Sequence, residues 1–211
     1  NDSDSKLNFP EELKDGPEMV LRGACVGLQK MTYLPGHGVY EYPYTPESFP
    51  WFYDKEQLIK YLDMLVANRM NSLYLWNGHP FASLVKLEDY PFALEVDEET
   101  FKMNEEMFSF LTEEADKRGI FVIQMFYNII LSKPFAEHYG LKTQDRNRPI
   151  TPLIADYTRK SIAAFIEKYP NVGLLVCLGE AMCTVEDDVE WFTKTIIPGV
   201  KDGLKALGRN D

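Results

Sequence analysis

Polar and aromatic side chains follow successive apolar segments of the sequence, at positions where they could act together. Trp76, Asn77 and His79 follow the second segment, and Tyr127 and Asn128 follow the third. Amide and imidazole groups form hydrogen bonds with hydroxyls, and aromatic rings stack on the apolar faces of pyranose rings. This mixture of side chains predicts a binding site for a carbohydrate.

Glu180 is the sharpest candidate for a catalytic group. It follows the fourth apolar segment, Val172–Leu178, with Gly179 between them. Partial burial at the mouth of such a segment would raise the pKa of the carboxyl group, which suits a general acid at neutral pH. The alternative is a surface glutamate that caps the following helix. Because glycosidases generally use two carboxylates, we expect the second one beyond Asp211.

A long loop between Thr32 and Tyr53 is rich in aromatic residues, proline and glycine. Loops of this length inside a domain are usually functional or disordered, and so many aromatic residues argue against disorder. His37 lies in this loop between two glycines and could close over a ligand.

The other candidate residues have structural alternatives. Trp76 could pack in the core, and Asn77 and Asn128 could hold turns. His79 could donate a hydrogen bond to a loop carbonyl instead of binding a substrate or carrying a proton.

The elements that must position these residues form four repeats of an apolar strand and an amphipathic helix. The predicted strands are 19–28, 71–76, 120–126 and 172–178, and the predicted helices begin near 54, 104, 152 and 184. Strands that are apolar throughout are typical of parallel strands covered by helices.

Two architectures fit this order, an open doubly wound sheet and a barrel. The segments that follow the strands are long and aromatic, whereas those that follow the helices are short, which favours a barrel. The first strand is not followed by a glycine-rich phosphate loop, which a nucleotide-binding sheet would usually show. The predicted fold is therefore α/β, the first four β/α units of a TIM (β/α)8 barrel with parallel strands.

The predicted organisation is a lead-in segment over residues 1–18 and the N-terminal half of a barrel over residues 19–211. A complete barrel has eight units in about 250 residues, whereas this chain has 211 residues and four units. We therefore expect the missing C-terminal half of the same barrel to be its partner.

The bulk composition excludes several classes of function. The net charge is −11 and lysine and arginine do not cluster, which argues against nucleic acid as a partner. The sequence has no apolar stretch of the roughly 20 residues that a membrane span needs. We see no zinc-type spacing of cysteines and no cofactor motif, so we expect no metal and no cofactor.

Several short segments resemble the catalytic barrels of α-glucuronidases and β-hexosaminidases. They are Asn71-Ser-Leu-Tyr-Leu-Trp-Asn77, Gly119-Ile-Phe-Val-Ile123, and Tyr157-Thr-Arg together with the stretch from Tyr169 to Glu180. The resemblance implies a glycoside-hydrolase barrel. It also implies that Arg22 binds substrate, since Leu21-Arg22-Gly23 is similar to the start of the first hexosaminidase strand; its position alone would make it structural.

Three hypotheses follow from these features. The first is a hydrolase of glycosidic bonds, with Glu180 as general acid and an oligosaccharide or glycan as substrate. The second is a non-catalytic glycan-binding barrel, in which Glu180 is only a ligand. The third is a barrel enzyme of another class, acting on a small phosphorylated or carbonyl substrate.

Overall fold

The computed structural model describes residues 16–34, 38–127, 130–145, 147–178, 182 and 184–209. Three of the candidate residues, His37, Asn128 and Glu180, lie outside the described residues, as does most of the predicted lead-in.

Four parallel strands form the main sheet, in the order in which they occur along the chain. They are β1 (Gly23–Gly27), β4 (Ser72–Trp76), β5 (Phe121–Tyr127) and β6 (Val172–Cys177). Two further strands, β2 (Met31–Leu34) and β3 (Gly38–Glu41), form an antiparallel hairpin after β1. All four parallel strands therefore end at the same edge of the sheet.

Helices separate the parallel strands. They are α1 (Lys55–Ala67), α2 (Phe81–Leu84), α3 (Glu98–Asp116), α4 (Lys133–Tyr139), α5 (Pro152–Lys168), α6 (Val185–Trp191) and α7 (Ile197–Ala206). A π-helical segment, Phe192–Ile196, joins α6 to α7. Short 3₁₀ helices occupy Pro50–Tyr53 and Pro91–Ala93.

Side-chain caps fix where the long helices begin. Asp54, Asp97 and Thr151 each accept a hydrogen bond from a backbone N–H in the first turn of α1, α3 and α5 respectively. Thr184 does the same for α6. Such caps satisfy N–H groups that would otherwise have no partner, and each contributes about 1 kcal/mol.

One face of the sheet packs against the helices and forms the core. Leu73, Leu75, Val122 and Phe126 lie on this face and are almost completely buried. The residues that alternate with these along each strand lie on the other face, which we call the open face. They are Cys25, Tyr74, Trp76, Phe121, Ile123, Met125, Tyr127 and Leu175. Most of these side chains are apolar, yet Phe121 is 62% exposed and Leu175 38% exposed.

The predicted fold class is confirmed, whereas several boundaries differ. β1 begins at Gly23 rather than at Met19, since the Asn71 side chain binds the backbone of Val20 and Arg22 and ends the ladder there. The helix α3 begins at Glu98 rather than at residue 104 because Asp97 caps it. The aromatic loop contains the β2–β3 hairpin, and the loop after β5 contains α4.

None of the helices in the described ranges is long and apolar enough to span a membrane.

Candidate functional site

Trp76 and Tyr127 lie side by side at the carboxyl edge of the open face. They are the last residues of the neighbouring strands β4 and β5. Their ring centroids are 5.2 Å apart and the ring planes meet at 73°, an edge-to-face arrangement. Both side chains are partly exposed. We call them the aromatic pair.

Asn77 is buried, and its side chain forms hydrogen bonds with the backbone of two loops. Its amide Nδ2 donates to the carbonyl of Leu28, at 2.7 Å, and its Oδ1 accepts the backbone N–H of His79, at 2.8 Å. The amide therefore holds the end of β1 against the loop after β4. This geometry matches the structural alternative for Asn77 and puts the residue next to the aromatic pair.

His79 lies behind this loop and contacts two aromatic rings, those of Phe81 and Tyr157. Its Nε2 is 2.8 Å from the hydroxyl of Tyr157. Burial lowers the pKa of the imidazole to about 3, because desolvation disfavours the charged form. The ring is therefore neutral at pH 7, where it can bind a hydroxyl but cannot carry a positive charge.

Arg22 lies at the amino end of β1, the opposite edge of the sheet from the aromatic pair. Its guanidinium group donates to the backbone carbonyls of Met19, at 2.7 Å, Val20, at 3.2 Å, and Arg69, at 2.9 Å. The structure does not bring Arg22 together with the other candidates. Its contacts are those of a residue that fixes the chain entering the first strand.

Glu41 is a buried carboxylate that the sequence analysis missed. It is the last residue of the hairpin strand β3 and only 7% exposed. One carboxylate oxygen accepts the side-chain amide of Gln29, at 3.0 Å, and the other accepts the backbone N–H of Gly78, at 2.5 Å. Burial raises the pKa of Glu41, and both hydrogen bonds oppose this shift.

Glu95 is a half-buried carboxylate near the same edge. It accepts the backbone N–H of Lys133, the first residue of α4. Burial raises its pKa to about 7, and the charges of Glu41 and Glu137 add to this effect. Lys133 opposes the shift through its hydrogen bond and its charge. Glu95 thus connects the loop before α3 with the loop after β5.

An alternating pattern could have indicated Glu41. Tyr40 and Tyr42 flank it, and their rings lie 5.4 Å apart. In an extended segment, residues two apart share a face, so Glu41 is directed away from the two tyrosines. The carboxylate becomes conspicuous only when the segment is recognised as a strand.

Among the described residues no group of three or more histidine, cysteine, aspartate and glutamate side chains could hold a metal ion.

Neither a protein-family model nor a curated protein sequence matches the chain. A solved structure matches it closely. This chain is similar to part of a GH138 enzyme targeting pectin rhamnogalacturonan II. The two are 88% identical, and the TM-score is 0.89 over 93% of this chain. The chain spans 23% of the length of that enzyme.

A β-glucosidase from Thermotoga maritima in complex with deoxynojirimycin has a more distant likeness to the chain. The TM-score is 0.50 at 11% identity, over 92% of this chain and 47% of that one. This likeness bears on the fold alone and agrees with four consecutive β/α units of a barrel. The predicted resemblance to glycoside-hydrolase barrels is confirmed at that level.

Proposed function

We propose that this chain is the N-terminal half of the catalytic barrel of a glycoside hydrolase, and that the whole protein hydrolyses a glycosidic bond in a pectic glycan. The observation that carries the proposal is the 88% identity over 93% of the chain to a GH138 enzyme targeting pectin rhamnogalacturonan II. The proposal concerns the full-length protein, because the matched region is 23% of that relative.

The aromatic pair supports a sugar site at the carboxyl edge of the sheet, where the active sites of barrel enzymes lie. We propose that Trp76 and Tyr127 stack against a sugar ring. We propose His79 as a further contact, through a neutral imidazole whose Nε2 also lies within hydrogen-bond distance of the Tyr157 hydroxyl. Asn77 holds the loop that carries His79. Asn128 and His37 stay proposed contacts on the strength of their positions in the sequence.

Glu180 is our proposed general acid. It follows β6, which ends at Cys177 and pairs with β5 so that Cys177 is level with Tyr127. A residue shortly after Cys177 is therefore close in sequence to the edge that carries the aromatic pair. A general acid protonates the leaving oxygen, and the second carboxylate that glycosidases use would come from the other half of the barrel.

The resemblance to α-glucuronidases and β-hexosaminidases supports a shared barrel chemistry but not their substrates. Hexosaminidases carry Asp-Glu at the end of the fourth barrel strand, whereas this chain has Gly179-Glu180. The missing aspartate is the group that orients a substrate acetamide. We therefore propose a substrate sugar that does not depend on an N-acetyl group.

The C-terminal half of the barrel is the proposed partner of this chain. A groove of about 580 Å³ lies beside β6, between that strand and α7. It is lined mainly by apolar side chains, among them Leu174, Val176, Phe192 and Val200. The strand and helix of a following β/α unit would cover this groove, and closure of the barrel would enclose the apolar open face.

Hydrolysis of rhamnogalacturonan II oligosaccharides by the full-length protein tests the proposed function. We expect the wild type to release reducing sugar, and Trp76→Ala to raise KM about tenfold through the loss of stacking. Phe110→Ala, which removes a partly buried ring from α3, is the matched control and should leave KM unchanged. Binding of the glycan without any cleavage would refute hydrolysis and favour a glycan-binding barrel.

A further inference from the structure

We infer that Glu41 is a positioning residue that sets the place of the aromatic pair through the backbone of Gly78. The inference rests on the proposed function, because it assigns Glu41 a part in presenting the proposed sugar site. Glu41 itself is not required to touch the sugar or the reacting atoms.

The path from Glu41 to the aromatic pair consists of two hydrogen bonds and one ring contact. Glu41 accepts the N–H of Gly78, at 2.5 Å. The carbonyl of Gly78 accepts the N–H of Tyr127, at 3.0 Å. Tyr127 then contacts Trp76 edge to face. The N–H and the carbonyl of Gly78 belong to consecutive peptide groups. A shift of the Gly78 backbone would therefore be transmitted to both aromatic rings.

Gly78 fits this path because it has no side chain. A Cβ atom there would lie 2.2 Å from the carboxylate oxygen of Glu41 and 2.6 Å from Ile130. Both distances are shorter than any ordinary contact, so the close approach of Glu41 to the Gly78 peptide depends on glycine. The peptide is thus held from two sides.

The β2–β3 hairpin positions Glu41 next to the backbone of Gly78. Glu41 is paired with Met31 across the two hairpin strands, and the N–H of Tyr42 donates to the carbonyl of Lys30, at 2.8 Å. Gln29, which immediately precedes this closure, supplies the second donor to the carboxylate. The hairpin, the loop after β4 and the end of β5 are therefore joined at one carboxylate.

Burial increases the cost of losing the hydrogen bonds of Glu41. Glu41 is 7% exposed and Gly78 is also buried, so water does not readily replace a lost acceptor. A buried donor without a partner costs more than the hydrogen bond itself contributes. Loss of the acceptor is therefore expected to move the Gly78 peptide toward another partner, and Tyr127 with it.

Two substitutions separate the hydrogen bonds of Glu41 from its charge. Glu41→Met keeps a similar volume and removes both acceptors. Glu41→Gln removes the charge. The new amide oxygen can still accept the Gly78 N–H, and the new amide NH2 can donate to the Gln29 oxygen once the Gln29 amide group rotates by 180°. Glu137→Met makes the same change at an exposed site on α4 and is the matched control.

The first measurement is steady-state hydrolysis by the full-length protein. We expect Glu41→Met to raise KM by roughly three- to tenfold with kcat within about twofold of wild type. Glu41→Gln and Glu137→Met should keep KM within about twofold. Loss of kcat in Glu41→Gln would overturn the inference, because it would make the charge of Glu41 part of the chemistry.

The second measurement does not depend on activity. Fluorine NMR of the protein labelled with fluorotryptophan, with the Trp76 signal assigned from Trp76→Phe, reports the setting of that ring. We expect Glu41→Met to move the signal and Glu41→Gln to restore it. If Glu41→Met does not fold, Gln29→Ala removes one of the two supports and should move the signal in the same direction.

The two measurements keep the inference separate from the proposed function. A moved Trp76 signal in a protein that cleaves no glycan would support the positioning role and refute the hydrolase. Normal hydrolysis with an unmoved signal in Glu41→Met would support the hydrolase and overturn the positioning role.

Discussion

At the scale of single residues, burial has opposite effects on the pKa values of two groups near the site. It raises the pKa of Glu95 to about 7 and lowers that of His79 to about 3. In both cases the uncharged form is favoured in the folded protein. Between about pH 4.5 and pH 6.5 the two shifts change stability in opposite directions.

The shift of Glu95 predicts a measurable pH dependence of stability. The folded pKa lies above the unfolded value, so the contribution of Glu95 is present at low pH and is lost as the pH rises through about 7. Glu95→Gln should remove this loss. Between about pH 5 and pH 8 the unfolding free energy of the wild type should fall by about 2 kcal/mol relative to the variant.

Urea unfolding of the full-length protein at the two pH values checks this prediction. The quantity compared is the change in unfolding free energy of each protein between the two pH values. The hydrogen bond from Lys133 to Glu95 is present in the wild type at both pH values, so it cancels in this change. Identical pH dependence in wild type and variant would show that Glu95 titrates normally in the folded protein.

The position of a residue is predictable where it depends on the end of the strand that carries it, whereas the sugar-binding role of such a residue stays a prediction. Trp76 and Tyr127 were predicted from the apolar runs that precede them, and both lie on the open face at the carboxyl edge. Glu41 was missed because its importance comes from Gln29 and Gly78. Those partners are 12 and 37 residues away in sequence and meet it only after the hairpin forms.

At the scale of elements, helix α7 packs closely on α5 through two glycines one turn apart. A Cβ atom on Gly199 would lie 2.9 Å from the carbonyl oxygen of Arg159, and one on Gly203 would lie 2.7 Å from the Cβ of Ile166. Both glycines are buried. The spacing of these two helices is therefore set by the absence of side chains.

Gly203→Ala should destabilise the protein although alanine favours helices more than glycine does. The added methyl group has no space, and overpacking of this kind costs about 1–3 kcal/mol. Ala206→Gln, at an exposed position of the same helix, should change stability by less than about 0.5 kcal/mol. Thermal unfolding compares the two; a Gly203→Ala variant more stable than wild type would contradict the close packing.

The long helices were predictable because each combines an apolar stripe with a cap that is visible in the sequence. α5 begins at Pro152 after Thr151 and ends at Lys168, as the sequence predicts. The sequence predicts a loop where the hairpin lies, because the two hairpin strands have four residues each, too few for a clear period. Short elements take their conformation from contacts with the sheet edge. The local sequence pattern carries no information about these contacts.

At the scale of the whole molecule, the open face is the clearest sign of a partner for this half of a barrel. Ile123, Met125 and Leu175 are apolar side chains of the open face, and none of the three is buried. Exposed apolar surfaces of this extent usually mark an interaction site. We propose that the other half of the barrel covers this face in the full-length protein.

Leu175→Glu tests whether the open face is covered in the full-length protein. If it is, the new carboxylate is buried without a partner and should destabilise the protein by about 3 kcal/mol. Val189→Glu is the matched control, because Val189 is 56% exposed on α6, and it should cost less than about 0.5 kcal/mol. Equal, small effects in chemical unfolding would mean that the open face stays in solvent.

The leaving-group dependence of cleavage by Glu180→Gln tests whether this half-barrel supplies the general acid of a glycoside hydrolase. In the full-length protein, kcat for rhamnogalacturonan II oligosaccharides should fall by about a hundredfold or more, whereas aryl glycosides with good leaving groups should lose much less. Glu186→Gln, an exposed position in the first turn of α6, should cleave both at the wild-type rate. Unchanged cleavage of the oligosaccharides by Glu180→Gln would contradict the account.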